Sequence, residues 1–487
     1  MIDRMLSAFT RALCVIVLAQ PTMLYGQTTW QRTYGGYGMD EGHCVKQVMD
    51  GGYLVLGSTG SFGAGSSDFY LVRLDLDGAL EWSAAIGTPG AEQGWGIAEA
   101  ADGYALVGFS SGGTGGFDGM LVFTDHLGTE QWRRFYGGSD WDFLYAIAAD
   151  PEGYFLVGNT YSGSGNGDQW LLKVQSNGDT LWTRSFGTEY EDVARGVAST
   201  ADGGCIVAGT IGTEDGTTSA VLTKFSATGD QQWQAVVGGA SNDAGMDVVP
   251  TNDGGYVLGG STESFSAFRE MLMAKVDHDG VLVWQQHVGQ ITDWEGRQVV
   301  ELPDGGLALV GFTMAFGAGG KDVYLLFTDA EGEFMYGRTY GGSDDDEGWS
   351  VDLTLDGGVV ITGSNASSGP GVKSMYVIKG DATGEVADPQ DYPYFDPLPV
   401  TEQATSSGVL LTPTLLSPGD EMHVRLNGQG SAMVSILDLR GTVQAMVPLN
   451  ASTRSSIRIP DLAPGPYLIS IEREGLAPMV ARFVVMW

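Results

Sequence analysis

The chain repeats itself with a period of 50 to 52 residues, and this repeat limits the possible folds more than any other feature. Two columns of residues define the repeat. The first column is aromatic and contains Trp30, Trp82, Trp132, Trp182, Trp233, Trp284 and Tyr336. The second column is glycine and contains Gly57, Gly108, Gly158, Gly209, Gly260, Gly311 and Gly363. Seven matches at nearly constant spacing indicate seven copies of one structural unit.

Each unit contains four short segments with the pattern of β-strands. Apolar residues two apart, such as Tyr53 and Val55, precede the glycine column, and this alternation is typical of a strand with one face held against a neighbour. A further strand leads into a turn that usually ends in glycine, and the aromatic column follows that glycine, which is a hairpin pattern. Four short strands in each of seven units predict an all-β fold, a seven-bladed β-propeller.

The ends of the repeat predict how the ring closes. With the strands of a blade named a to d from the centre outward, strand d carries the aromatic column. The seventh unit ends at Gly384 without such a strand, whereas the chain has a spare one around Trp30. We therefore predict that the N-terminal strand completes the last blade and removes two exposed sheet edges. An eighth blade is the structural alternative, but no residues are left to build it.

The remaining sequence predicts further segments on either side of the propeller. Residues 1–26 have the basic start and short apolar run of a cleavable signal peptide, and no later stretch is apolar for long enough to span a membrane. The predicted parts are a signal peptide (1–26), a propeller (27–384, with repeats starting near 30, 82, 132, 182, 233, 284 and 336), an acidic Pro-rich linker (385–407) and a small C-terminal β-sandwich (408–487).

The net charge limits the partners that the chain can bind, and the cysteine content limits its disulfide chemistry. The net charge of −36 lies almost entirely between residues 27 and 407, and so acidic a surface repels nucleic acid and anionic lipid. We therefore expect no nucleic-acid partner. We also expect no transmembrane segment and a monomeric chain. Beyond the signal segment only Cys44 and Cys205 remain. An exported chain could join them in a disulfide, but both occupy positions that hold packing residues in other copies, so we expect buried free thiols.

The units resemble the seven-bladed β-propeller repeats of secreted bacterial proteins. The aromatic column, the "DGGY" turn and the strand that follows it carry the resemblance, which covers roughly residues 30–384 and implies a scaffold without catalytic residues. The stretch "LDLDGALEW" is also similar to the tryptophan-docking repeat of quinoprotein dehydrogenases. Those enzymes have eight blades and often a vicinal cysteine pair, which this chain lacks.

The C-terminal tail resembles the sorting domain of the type IX secretion system. The matching residues are Asp438, Gly441, Leu462, Gly465 and Tyr467, together with the final "RFVV" strand. The resemblance implies export by a signal peptide and then through an outer-membrane translocon that reads the tail, so the expected location is secreted or on the cell surface. An ordinary adhesive module is the alternative, and "TPTLLSPGDE" stands where the family usually has a Pro-Asn-Pro element.

The first column of candidate site residues is acidic and lies in the loops between strand d and strand a. It contains Asp40, Glu92, Asp142, Asp192, Asp243 and Asp346. Carboxylates around a channel mouth could recruit a hard cation, so Ca²⁺ is possible there and the metal is left open. The alternative, which we favour because it recurs equally in the blades, is that each carboxylate accepts backbone hydrogen bonds in its own loop.

The second column lies three residues farther along and is chemically mixed. It contains His43, Trp95, Tyr145, Arg195, Met246, Arg297 and Trp349. Large residues that converge near an axis can line a pocket, where aromatic rings stack on a sugar or a side chain and arginines hold an anion. Packing between blades is the alternative. This column is the candidate binding pocket, and no residue is assigned a catalytic role.

The leading functional expectation is a non-enzymatic, exported propeller without a cofactor. It would bind a protein or a glycan through the top face, the face on which the d–a and b–c loops emerge. The alternative is an extracellular glycan hydrolase or lyase with an acidic central pocket. Two carboxyl groups with opposite pKa shifts in one cleft would favour the enzyme, and a symmetric ring of backbone-bonded carboxylates would favour the scaffold.

Overall fold

The structure is a computed structural model that describes residues 28–163, 166–289 and 292–386 and, beyond them, Leu462 and several short strands between residues 392 and 485. Every regular element in those parts of the chain is a β-strand. Among the described residues, no helix is long and apolar enough to cross a membrane. The predicted signal peptide (1–26) and most of the predicted linker (385–407) lie outside the described residues.

Seven four-stranded antiparallel blades make up the repeat region. The innermost strands a are β2 (Asp40–Gln47), β6 (Glu92–Ala100), β10 (Asp142–Asp150), β14 (Val193–Ser199), β18 (Asp243–Pro250), β22 (Trp294–Glu301) and β26 (Asp346–Leu353). Strands b are β3 (Tyr53–Thr59), β7 (Gly103–Ser110), β11 (Gly153–Thr160), β15 (Cys205–Gly212), β19 (Tyr256–Thr262), β23 (Leu307–Thr313) and β27 (Val359–Asn365).

The outer half of each blade follows the same order. Strands c are β4 (Asp68–Leu74), β8 (Asp118–Thr124), β12 (Asp168–Gln175), β16 (Thr218–Phe225), β20 (Glu270–Val276), β24 (Asp322–Thr328) and β28 (Ser374–Gly380). Strands d are β5 (Leu80–Ile86), β9 (Glu130–Tyr136), β13 (Thr180–Phe186), β17 (Gln231–Val237), β21 (Leu282–Val288), β25 (Phe334–Tyr340) and, for blade 7, β1 (Trp30–Tyr34).

The N-terminal strand closes the ring as the sequence predicts. β1 pairs antiparallel with β28, in a register that runs from Trp30 opposite Lys379 to Tyr34 opposite Met375. A short strand, β29 (Tyr392–Pro393), adds to the outside of β1. The fold-class prediction of a seven-bladed propeller closed by its first strand is therefore confirmed.

Neighbouring blades are joined where the aromatic column meets a turn glycine. The ring of Trp30 lies over the c–d turn of blade 1, and its Nε1 donates a hydrogen bond to the Leu76 carbonyl over 3.2 Å. Gly78 in that turn has a φ of 74°, and a Cβ on it would lie 2.7 Å from the Trp30 ring. The same contact recurs at Gly128, Gly178, Gly229, Gly280 and Gly332. The turn thus needs glycine both for its left-handed backbone and for the space that the aromatic ring fills.

Each strand a contains a β-bulge, and the bulge explains the second glycine column. In each blade one residue of strand a has no partner on strand b. The residues before and after it pair with two consecutive residues of strand b. The strand-b glycine lies opposite the residue just before the bulge. A Cβ on Gly57 would overlap the carbonyl oxygen of Glu41, and the other six glycines of the column have the same close approach. The glycine column therefore permits the bulge.

Two buried cysteines lie in this framework. Cys44 and Cys205 are free thiols, as expected from the repeat positions that they occupy. Burial raises the pKa of the Cys205 thiol to about 12 and also raises that of Cys44. Both side chains act as small core residues.

The described part of the tail forms two small sheets, as a β-sandwich requires. One sheet contains β30 (Val409–Thr412), β32 (Glu421–Leu426) and β35 (Arg454–Arg458), and the other contains β31 (Leu415–Leu416), β33 (Ala432–Asp438), β34 (Val443–Leu449), β36 (Gly465–Glu472) and β37 (Met479–Val485). Of the residues that suggest a sorting domain, Asp438 pairs in register with Tyr467, Leu462 is buried and Gly465 begins β36. Gly441 lies outside the described residues.

Candidate functional site: the axial cavity and the top face

The mixed column converges on one cavity at the centre of the ring. All seven of its residues line a cavity of about 440 Å³: His43, Trp95, Tyr145, Arg195, Met246, Arg297 and Trp349. Each of them is the unpaired residue of a strand-a bulge. A bulge bends the strand and re-aims the side chain at that position, which explains why all seven face the axis. That the cavity binds a ligand stays a prediction.

Aromatic rings form a continuous wall on one side of this cavity. His43 and Trp95 stack with ring centroids 4.1 Å apart and planes within 5°. Trp349 meets both rings edge-on, at 5.5 Å from His43 and 5.2 Å from Trp95. Tyr145 continues the wall with an edge-on contact to Trp95 at 5.6 Å. Edge-on and stacked arrangements of this kind are the favourable geometries for aromatic pairs, so the wall is well packed.

The two arginines of the column differ in whether their guanidinium groups are already paired with carboxylates. Arg297 is buried, lies over the Trp349 ring, and binds Glu295 over 3.0 Å and Glu347 over 2.7 Å. Arg195 is half-buried and lies 4.0 Å from the centre of the Tyr145 ring. Among the described residues, no carboxylate forms an ion pair with Arg195. Its guanidinium is therefore the cavity cation that a ligand could engage.

His43 is held firmly in the wall. Its Nδ1 lies 2.8 Å from the Gly94 carbonyl oxygen of blade 2, and its Nε2 lies 3.7 Å from Glu41 Oε2. The interaction with His43, assisted by Lys373, lowers the pKa of the Glu41 carboxyl to about 2. This histidine therefore joins two blades and stabilises an anionic carboxylate above the cavity.

Polar residues that the sequence columns did not single out line the cavity wall beneath the ring of bulged residues. Lys46, Asp247 and Gln298 line it. Asp247 Oδ2 accepts a hydrogen bond from the Val299 backbone over 3.2 Å, and burial raises the pKa of its carboxyl to about 7. Lys46 lies 3.4 Å from Asp352, which is the main cause of a raised pKa of its ammonium group.

The channel wall is therefore divided into two halves. Blades 5, 6, 7 and 1 contribute the polar groups just described. At the corresponding positions blades 2, 3 and 4 carry only small residues, namely Gly96, Ala98, Ala146, Ala148, Gly196 and Ala198. The repeat is symmetric in backbone and asymmetric in chemistry.

The acidic column is used within its own loops. Asp40 is fully buried and accepts hydrogen bonds from Gly36 N over 2.7 Å, Thr59 Oγ1 over 2.5 Å and Ser61 Oγ over 2.6 Å. The other members are equally buried and bonded to the backbone and hydroxyl groups of their loops, namely Glu92, Asp142, Asp192, Asp243 and Asp346. This arrangement is the symmetric ring that favours a structural role. In the described residues no group of three or more His, Cys, Asp or Glu is arranged to hold a metal, and Ca²⁺ binding stays a prediction.

On the top face, ion pairs join blades 5, 6, 7 and 1. In each case a cation just before strand c reaches the second residue of the next strand a. The pairs are Arg269 with Glu295 at 2.8 Å, Lys321 with Glu347 at 2.8 Å and Lys373 with Glu41 at 3.1 Å. We call these three pairs the ion-pair arc.

In blades 2 and 3 the same two positions are aromatic. Phe117 precedes strand c of blade 2, Phe143 is the second residue of strand a in blade 3, and their centroids lie 5.7 Å apart. Phe143 also contacts four further rings. The six residues form what we call the aromatic cluster: Phe109, Phe117, Trp141, Phe143, Tyr145 and Tyr161. The cluster shares Tyr145 with the axial cavity.

Comparison with known proteins finds similarity to solved structures and to no protein family. No protein-family model matches the chain, and no curated protein sequence matches it either. Solved structures that it is similar to include the Neurospora crassa Pan2 WD40 domain (11% identity, TM-score 0.46, 74% of this chain and 92% of that one). A putative 6-phosphogluconolactonase from Bacteroides fragilis (13%, 0.45, 70% and 95%) and a fungal alcohol oxidase of the AA5 family in complex with copper (14%, 0.44, 94% and 99%) are also similar. These proteins differ in function, and the likeness extends to fold alone.

Proposed function

We propose that the chain is an exported, non-enzymatic binding protein that holds a protein or a glycan on its top face, above the axial cavity. The observation that carries the proposal is the ring of seven bulges. The seven bulges present five types of side chain to one cavity, while the loops around it are fixed by buried carboxylates. A rigid scaffold with a varied inner surface suits recognition.

The lining of the cavity favours binding over glycan hydrolysis. Glycoside hydrolysis ordinarily uses two carboxyl groups on opposite sides of the scissile bond. Among the described residues that line the cavity, Asp247 supplies the one carboxyl group. Its raised pKa is of the kind that acid–base catalysis uses, but no partner carboxyl faces it in that lining.

Glycan-array and pull-down measurements with the purified protein, with and without Ca²⁺, test the binding proposal. The Arg195→Gln variant should lose affinity for the ligand recovered, because it removes the cavity cation that has no carboxylate partner. Arg134→Gln is the matched control, since Arg134 also lies over an aromatic ring, that of Trp132, but on an outer strand. Equal binding by both variants would contradict a role for the axial cavity.

We further propose that the type IX secretion machinery exports the chain through its C-terminal domain to the cell surface or the medium. The two small sheets and the register of Asp438 with Tyr467 support a folded C-terminal unit. In a host with this secretion system, the full chain should reach the surface or the medium, and a chain lacking residues 408–487 should accumulate in the periplasm. Equal export of both forms would rule out sorting by the tail.

A further inference from the structure

The aromatic cluster exposes more ring surface than contact between blades requires. The pair formed by Phe117 and Phe143 already fills the position that an ion pair fills elsewhere. Trp141 lies on the outside of that pair, meets both rings edge-on at 6.0 and 6.2 Å, and keeps 56% of its surface exposed. An exposed tryptophan supported from behind by other rings is a rigid, flat surface on which another molecule can stack.

Hydrogen-bonding groups border this surface. The Tyr161 hydroxyl donates to Glu191 Oε1 over 2.7 Å. Asp140, next to Trp141 in the sequence, and Glu191 are both exposed. The top face at blades 2 and 3 thus combines ring faces with carboxylate oxygens, which accept hydrogen bonds.

This combination fits a sugar better than an apolar protein surface. A pyranose ring has a C–H face that stacks on an aromatic ring and hydroxyl groups that donate to carboxylates. An apolar protein partner would instead bury Asp140 and Glu191 without a counter-charge, which is costly. The same carboxylates and the net charge of −36 repel acidic polysaccharides.

The cluster is also continuous with the axial cavity. Phe143 and Tyr145 are nearly parallel, with planes within 10° and centroids 6.2 Å apart, and Tyr145 contacts Trp95. Trp95 Nε1 is buried and makes no hydrogen bond among the described residues. A row of rings therefore leads from the rim at Trp141 to the wall of the axial cavity.

We propose that the aromatic cluster is the binding surface for a neutral oligosaccharide, with Trp141 stacking on one pyranose ring and the row of rings guiding the chain end into the axial cavity. This inference rests on the proposed binding function and names its ligand class. It places the main contact on blades 2 and 3 rather than on the ring of bulges.

Isothermal titration of the purified full-length protein tests this inference with cellohexaose, laminarihexaose and mannohexaose as neutral probes and hexagalacturonate as the acidic probe. At least one neutral probe should bind more tightly than hexagalacturonate. Trp141→Ala should weaken that binding at least about tenfold, and Trp141→Phe should restore part of it. Phe316→Ala is the matched control, because Phe316 is a top-face aromatic residue with 47% exposure on blade 6, and it should leave binding unchanged.

The outcomes separate this inference from the proposed function. Failure of all three neutral probes, or unchanged binding by Trp141→Ala, overturns the oligosaccharide surface. If a protein or hexagalacturonate binds instead and Arg195→Gln abolishes that binding, the proposed function stands without this ligand class. If neither these probes nor the array and pull-down screens yield a ligand, both proposals fail.

Discussion

Blades 5 to 7 and blades 2 to 3 use one position of the repeat in opposite ways. In the ion-pair arc, the residue before strand c and the second residue of the next strand a carry opposite charges, as Lys321 and Glu347 do. In the aromatic cluster the corresponding residues are Phe117 and Phe143. Both solutions connect neighbouring blades. In the ion-pair arc each charged group is paired with its opposite. In the aromatic cluster the rings contact each other and still leave ring faces exposed to solvent.

The channel beneath the top face is divided along the same line. Polar groups such as Lys46 and Asp247 lie on the blades of the ion-pair arc, and glycine and alanine lie on the other side. A fold that repeats its backbone seven times can therefore hold two chemically distinct halves. Beneath the ring of bulged residues, a ligand would meet glycine and alanine on blades 2 to 4 and the charged groups of Lys46 and Asp247 on the other side.

Loss of ring closure should have the largest effect on both halves. Deletion of residues 27–36 removes β1 and leaves the edge of β28 unpaired. We expect the cooperative thermal transition of the propeller to be lost, because blade 7 then lacks a strand and its contact with blade 1. Differential scanning calorimetry measures this, and a chain lacking residues 408–487 serves as the control. A deletion variant that melts at the wild-type temperature would contradict closure by β1.

Substitution of the strand-b glycines tests whether the bulges require glycine equally in the two halves of the ring. Gly158→Ala in blade 3 and Gly311→Ala in blade 6 each force a Cβ onto a carbonyl oxygen of strand a. Each should lower the free energy of unfolding by at least about 2 kcal/mol in urea titrations. Gly163→Ala has open space around it and should change stability by less than about 0.5 kcal/mol. A much smaller loss at one of the two bulges would show that the halves differ in backbone as well as chemistry.

Asp247→Asn tests the polar half of the channel. Because burial raises the pKa of this carboxyl to about 7, from the ordinary aspartate value of about 3.9, the protein takes up a proton on folding between those values, and its stability falls as the pH rises through that window. The variant lacks this titration and keeps an acceptor for Val299 N. Urea unfolding should show a flatter pH profile and a gain of about 1–2 kcal/mol near pH 8, discounted for the partial exposure of the side chain.

The control for that experiment is Asp352→Asn, which removes the anionic partner of Lys46 and should destabilise the protein. Parallel pH profiles for Asp247→Asn and the wild type would mean that Asp247 titrates at its usual pH. The division of the channel would then be one of size rather than of charge.

The smallest expected effect comes from replacing the aromatic pair Phe117 and Phe143 by an ion pair. Phe117→Lys and Phe143→Glu should each destabilise the protein, because each leaves a half-buried charge without a partner. The double variant should recover about 1 kcal/mol of coupling in a double-mutant cycle, since it recreates the pair formed by Lys321 and Glu347. Oligosaccharide binding should remain lost in all three variants. Strictly additive stabilities would show that the two positions are not equivalent.

The sequence predicts most of the framework, because its two columns report local geometry that every blade needs. The aromatic column meets the turn glycine in six of the seven copies, as Trp30 meets Gly78, and this contact fixes both residues. Closure by the first strand follows from counting strands. The acidic column could be assigned to its loops because it recurs equally in the blades, whereas its hydroxyl partners, such as Thr59 and Ser61 for Asp40, come from the structure.

The candidate site could be predicted only in part. The mixed column was visible, but the bulge beneath it was not, because a regular strand gives the same sequence spacing. Asp247 and Lys46 come from blades 5 and 1, and only the closed ring brings their charges together. Phe117 and Phe143 are likewise recognised as a contact between blades only when they are compared with the charged residues at the same positions of other blades. In each case the sequence feature that indicates the site is a repeat position at which the blades carry different types of residue.

The bulge has a consequence for how such a protein can change over evolutionary time. A residue such as Met246 or Trp349 takes no part in the ladder between strand a and strand b, so replacing it leaves the main-chain hydrogen bonds of the blade intact. The ladder therefore places no restriction on the side chain at a bulge, and the residues that are further restricted, such as His43 and Arg297, are those that also bind a neighbouring blade. A small number of substitutions at bulges without such contacts is enough to give a new recognition surface on the same fold.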